Sequence, residues 1–283
     1  MQSRTLADAM SASTHLLADR LLIRDWRDDL PWHDIVPDWL ANERHLLPVV
    51  LHLDHLDDIQ REEITQSLEV DSSGIASAML ICSDLSVEAQ ARRLAARVAI
   101  TLEDDSRVLL RFADAAVFIH LLWVLPLPHL AALCDGISRW WVSFHGLWHE
   151  LEFTSRPEVA WSKLDEARSI ALTNVGLVNG TLATMPEATE MKQMWRFSQE
   201  VNQWLCTAQS EFGLTDASDC MAFARHGCLL GRSFTNHPKL VPHLRVAAAT
   251  PGAYAQATES FPENEWSNVI ADIERIDRER EVS

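Results

Sequence analysis

The sequence lacks the spacings and runs by which most cofactor, metal and membrane proteins are recognised. It contains no GxxxxGK, and no GxGxxG follows a strand-like run, so a phosphate-cradling loop is not indicated. GxSxG is missing too: Gly231, Arg232 and Ser233 begin such a turn, but the second glycine is absent and a nucleophile elbow is unsupported. The five cysteines, Cys82, Cys134, Cys206, Cys220 and Cys228, are odd in number and include no CxxC. They lie among apolar residues, where a free thiol behaves as a small hydrophobe. Neither a disulfide framework nor a zinc ribbon is expected, which suits a reducing compartment. The opening residues, MQSRTLADAMSAS, contain no apolar core of a secretory signal. The longest apolar stretch, 115–133, is broken by His120, Pro126, Pro128 and His129 and is too poor for a membrane span. These absences lead to the expectation of a cytoplasmic protein without a membrane partner.

Basic charge is also scarce. Twenty-four Lys and Arg face 41 Asp and Glu, a formal charge of −17. Such a surface repels phosphates, which argues against nucleic acid and against anionic membranes and leaves basic or apolar partners. At 47% hydrophobic the chain has material for a real core. Eleven tryptophans stand against a single tyrosine. Indoles bury much area and suit either a core or a contact surface.

The order of patterns predicts an α/β N-terminal domain over 1–153, a small mixed or parallel sheet with flanking helices. A connection over 154–186 and an all-helical lobe over 187–283 follow. Residues 1–18 read as a polar, helix-leaning leader, and 21–23 as a short strand. LLPVVLHL at 46–53 reads as a buried strand, and 75–82 as another after the turn signal DSSG at 71–74. Ser86 is placed to cap a helix whose Val87, Ala91, Leu94, Ala95 and Val98 share a face, with Arg92, Arg93 and Arg97 turned away. After a polar turn at 103–106, residues 107–112 form a third strand. Asp114 then caps a further helix, 127–133 makes a short one, and 138–144 is the last strand. In the lobe, Met191, Met194, Trp195, Ser198, Val201, Leu205, Ala208 and Phe212 make one helical stripe that stops at Gly213. Thr215 or Asp216 opens the next helix, which closes near Gly231. His237 and Pro238 break the chain before a helical turn at 240–249, and a charged tail occupies 270–283.

Twelve histidines invite a metal reading. His52 and His55 are close in sequence, and His145-x-x-x-His149 would place two imidazoles on one face of a helix. No third ligand accompanies them and Gly146 interrupts the segment, so neither a metal nor a cofactor is assigned. Acidic clusters at 28–29, 57–58 and 103–105 fall in polar turns, where carboxylates are ordinarily solvated rather than catalytic.

What remains is the order of segments. LLPVVLHL at 46–53, followed by IASAMLICSDLSVEAQARRLAARVAITLEDDSRVLLRFADAAVFIHLL at 75–122, resembles the type VI secretion effector-chaperone family known as DUF4123. The family's strand reading roughly "vllRFyDPrv" is matched here by VLLRFADAAV at 108–117. Arg111, Phe112 and Asp114 agree with it; Ala113 stands where an aromatic is usual and Ala115 where proline is usual. GRSFTNHP at 231–238 resembles part of the helical tail often seen in that family. The resemblance covers roughly 45–245. It implies a non-enzymatic adaptor that binds a toxic effector and helps load it onto the spike protein of the secretion apparatus. Arg111 and Asp114 then have two readings. The first, and the favoured one, is a helix cap with a local ion pair; the second is a contact to cargo. An unrecognised hydrolase or transferase, and a toxin-neutralising immunity-type protein, are the alternatives.

Overall fold

The computed structural model describes residues 3–23, 26, 29–70, 75–153 and 161–281. The chain forms two compact units, Met1–Leu172 and Thr173–Ser283. The first is α/β and the second is helical, as the sequence patterns predict.

The first unit is built on a sheet of nine strands' worth of pairing in two pieces. β1 (Ser3–Arg4), β2 (His15–Ala18), β3 (His33–Asp34), β4 (Val49–His52), β5 (Ala78–Cys82), β8 (Arg139–Phe144) and β9 (Leu147–Glu152) form a seven-stranded sheet in the order β1-β9-β8-β5-β2-β4-β3. β6 (Ala99–Thr101) and β7 (Arg107–Leu109) form a separate ribbon. Among the described residues every pair is antiparallel, which corrects the expectation of a mixed or parallel sheet. The physical reason lies in burial. Leu16, Ala18, Val49, Leu51, Ala78, Leu80 and Trp141 share one core with α1 (Leu6–Ser11) and α2 (Asp58–Val70). Their neighbours Leu17, Val50, Met79, Ile81 and Trp140 turn to the opposite face and are fully buried as well. On that face α4 (Ala115–Val124) lays Phe118 on Trp140, with ring centroids 4.3 Å apart and planes nearly parallel. A strand covered on both faces reads as a continuous apolar run, the pattern typical of parallel sheets.

Three further expectations are revised in this unit. Residues 1–18 contain β1, α1 and the interior strand β2 rather than a leader, because HLLA at 15–18 is too short to show a period. Residues 21–23 lie in a turn after β2, where the Leu22 N–H donates to the Asp19 carbonyl at 2.9 Å. The strand expected at 138–144 is not the last. It turns at His145 and Gly146, both with positive φ (49° and 75°), and returns as β9 with Phe144 opposite Leu147. Two central residues of positive φ define the hairpin turn that matches strand twist, which is why glycine stands at 146. The expected DSSG turn at 71–74 lies outside the described residues.

Helix boundaries follow their caps. The Ser86 hydroxyl accepts from the Ala89 N–H and opens α3 (Val87–Ala95), whose Arg92 and Arg93 are exposed. Asp57 and Gln60 bond reciprocally at the start of α2, so Asp57 of the acidic cluster at 57–58 serves as a cap. α5 (Leu127–Leu133) and α6 (Glu166–Thr173) complete the α-helices of this unit among the described residues, beside 3-10 helices at Asp38–Leu46 and Leu53–His55.

The second unit comprises α7 (Val175–Leu182), α8 (Met191–Glu211), α9 (Ala217–Leu230), α10 (Val241–Ala247), α11 (Ala253–Glu259) and α12 (Glu263–Glu281), with a 3-10 turn at Arg232–Asn236. The expected stripe buries Met191, Ser198, Val201, Leu205 and Ala208 on α8. Asp216 caps α9 by accepting the Ser218 and Asp219 N–H groups. Phe223 is the hub of the core, with Phe212 and Phe234 each 4.9 Å away. The single tyrosine, Tyr254, is buried there and its hydroxyl meets His226 Nδ1 at 2.8 Å.

One tie in this unit spans 33 and 36 residues. Asp219 is fully buried on α9, and its two carboxylate oxygens accept the N–H groups of Gly252 and Ala255, each at 2.8 Å. It thereby caps α11 from another helix, satisfying donors that the helix start leaves open. Asp219→Ala is expected to lower unfolding stability by about 2 kcal/mol, since two buried N–H groups lose their acceptors. Urea unfolding followed by far-UV circular dichroism checks this; Asp219→Asn, which keeps one acceptor oxygen, should fall in between.

Candidate functional site

VLLRFAD occupies 108–114, and only Val108 and Leu109 of it belong to β7. The strand expected over 107–112 ends early because the chain folds back on itself. The Leu110 N–H donates to Val98 and the Phe112 N–H to Leu110, and the Asp114 N–H to the Arg111 carbonyl. Arg111 therefore sits in a turn. Phe112 is fully buried beneath it, and Asp114 opens α4 by accepting the Ala116 N–H at 3.0 Å.

The guanidinium of Arg111 faces two carboxylates. Its Nε and Nη2 both donate to Asp19 Oδ2, at 3.0 and 2.8 Å, and Nη2 also lies 3.1 Å from Asp114 Oδ2. The other Asp19 oxygen accepts the Leu21 N–H at 2.9 Å. Both acids are buried while the arginine side chain keeps 46% of its exposure. The arrangement joins the end of β2, an interior strand, to the start of α4. Burial pushes the Asp114 carboxyl above its ordinary value, Arg111 opposes that shift, and Asp19 adds to it. Arg111 thus lets two acids share a space that neither could occupy ionised without cost. Arg111 and Asp114 were legible in the sequence; Asp19 was not, since it lies 92 residues away and only the folded sheet brings it near.

The two histidine pairs singled out in the sequence fare differently. His145 and His149 lie on the β8–β9 turn and on β9, so they do not share a helical face. His52 and His55 do meet, with stacked rings 4.9 Å apart. A third imidazole joins them: His15 on β2 pairs directly opposite His52 on β4, with centroids at 4.6 Å. His15 is fully buried, its Nδ1 meets the Thr14 hydroxyl at 2.8 Å, and its Nε2 has no hydrogen-bond partner among the described residues. Burial, then the neighbouring His52 and His55, lowers its pKa to about 4. Among the described residues no group of three or more His, Cys, Asp or Glu is arranged to hold a metal ion. No helix among them is long and apolar enough to cross a membrane. Of the acidic clusters, Asp104 bonds Ser106 in its turn, and Asp28 lies outside the described residues.

No family model, curated protein or solved structure matches this chain.

Two measurements test this geometry. Arg111→Ala is expected to cost about 1–3 kcal/mol of stability, because two buried carboxylates lose their counter-charge. Arg111→Lys, a point charge without the fork, should recover only part, as read from urea midpoints. His15, whose folded pKa lies below the unfolded value, binds its proton more readily in the unfolded chain. Stability should therefore fall as pH drops from about 6.5 to about 4. His15→Gln should shallow that decline in a series of thermal melts.

Proposed function

We propose that the protein is a non-enzymatic adaptor chaperone of a bacterial cytoplasm, which binds a type VI secretion effector and helps load it onto the spike protein. The observation that carries this reading is VLLRFAD at 108–114, met in the segment order that resembles DUF4123. Its charged residues have a job that does not depend on which cargo is bound. Arg111 reaches Asp19 and Asp114 and holds a strand end to a helix start, so a carrier fold has reason to keep them while its contact residues vary. The departures at Ala113 and Ala115 fit this account. Both side chains are buried at the corner, where small residues pack without disturbing the ion pair. The charge of −17 favours a cargo or spike surface that is basic or apolar.

The reading is tested in the native host. A tagged copy should co-purify one effector in a one-to-one complex, and deleting the chaperone should abolish export of that effector. Repeated pulldowns without any secretion component would sink the proposal. Death of the producing strain on deletion would instead identify a toxin-neutralising protein.

A further inference from the structure

The helical unit carries a groove with the dimensions and bonding pattern of an extended peptide. A cavity of about 670 Å³ runs along α8 and is walled on its other side by the 3-10 turn Arg232–Asn236. Its α8 wall extends from Arg196 to Glu211, about 22 Å of helix at 1.5 Å per residue. An extended chain rises about 3.3 Å per residue, so that length accommodates about seven residues.

The polar groups along the wall have a matching period. Gln199, Gln203 and Thr207 follow one another at four-residue intervals, which sets them about 6 Å apart on one row. An extended polypeptide turns the same edge toward a neighbour every second residue, about 6.6 Å. The carboxamides of Gln199 and Gln203 both donate and accept, as the alternating N–H and C=O groups of such an edge require; the Thr207 O–H already donates to the Gln203 carbonyl at 3.1 Å, so its oxygen serves as an acceptor. Gln199 and Gln203 are exposed, so their bonding capacity faces outward.

An apolar seat lies in the same wall. Trp204 lines the cavity together with Phe212. The indole is held rigidly: Gly227 on α9 backs it so closely that a Cβ there would come 2.2 Å from Cδ2. Phe223 and Phe234 meet the indole ring edge-on at 6.1 and 5.7 Å. Glycine inside a helix costs about 1 kcal/mol relative to alanine, and here it makes room for a fixed tryptophan. Preorganised aromatic seats are where interfaces concentrate binding energy.

Charge gives the groove a direction. Arg196 and Arg232 have no ion-pair partner among the described residues; Arg196 lies over the Phe197 ring at 5.5 Å. α9 begins at Ala217, just past the C-terminal end of α8, and brings Gly227 level with Trp204, so it runs back along α8. Arg232, just past the end of α9, therefore lies toward the Arg196 end. Glu200 lines the same stretch of wall without pairing with either arginine, and Glu211 marks the opposite end.

We propose that this groove binds an extended stretch of about seven residues of a partner polypeptide. An apolar side chain sits on Trp204 and Phe212, and an acidic side chain sits at the Arg196 and Arg232 end. That the polypeptide belongs to the secreted cargo rests on the chaperone reading above. The test uses a phage-displayed library of random heptapeptides panned against the full-length protein, with the most enriched peptide labelled for fluorescence anisotropy. Enriched sequences should carry a central apolar residue with an acidic neighbour. The double variant Gln203→Ala with Arg232→Ala, which changes two exposed side chains and leaves the core intact, should weaken binding at least tenfold with an unchanged circular dichroism spectrum. Three results overturn the site: no enrichment over the bare support, equal binding by the double variant, or saturable binding of maltoheptaose in place of peptides. An effector that co-purifies equally with wild type and double variant also overturns the site while the chaperone reading stands. Peptide binding lost in the variant, with no secretion component ever captured, keeps the site and removes the chaperone reading.

Discussion

Asp19 and Asp114 are both buried in the first unit, and one guanidinium answers the two of them. Asp19 ends an interior strand, Asp114 begins a helix, and Arg111 reaches each within 3.1 Å. Removing the arginine leaves uncompensated buried charge, whereas its own exposed side already has access to water. The corner is therefore asymmetric: the acids depend on the arginine more than the arginine depends on them. Its geometry also fixes where α4 starts, and α4 places Phe118 against Trp140 on the sheet. A local ionic contact thus sets the docking of a layer, which links VLLRFAD to the packing of the whole unit.

The parts of this unit that were legible in the sequence are those whose signals are local. Ser86 and Asp114 are caps within three residues of the donors they satisfy, and both were readable from spacing alone. Strand direction was not, because double burial removes the alternation that marks an antiparallel strand. β2 escaped notice for a related reason: four buried residues, HLLA, cannot display a period. His15 lies in that strand and Asp19 directly follows it, so the same short segment conceals both the second carboxylate of the corner and the third imidazole of the histidine group.

In the helical unit the long periods made the reading easier. The stripe on α8 predicted its buried face, and Gly213 and Gly231 marked ends where the backbone enters positive φ. The tie from Asp219 to α11 was not readable, since an acid in the first turn of a helix is ordinarily satisfied by its own helix. Nor was the purpose of Gly227. In a sequence, an interior helical glycine looks like a weakness, and only the indole of Trp204 lying against it shows what the missing side chain permits.

The corner and the groove divide recognition from binding. At the corner most hydrogen-bonding capacity is already spent: the carboxylate oxygens of Asp19 accept from Arg111 and Leu21, and those of Asp114 from Arg111 and Ala116. Such a site has few valences left for a partner. Along the groove the reverse holds, with exposed carboxamides, two arginines lacking ion-pair partners among the described residues, and an indole already fixed in place. For the carrier proposed above, exposed groups that exchange water for peptide are better suited to hold and release cargo than a buried ion pair whose loss would loosen the sheet. On this argument the signature residues should govern whether the protein folds, and the groove residues what it holds.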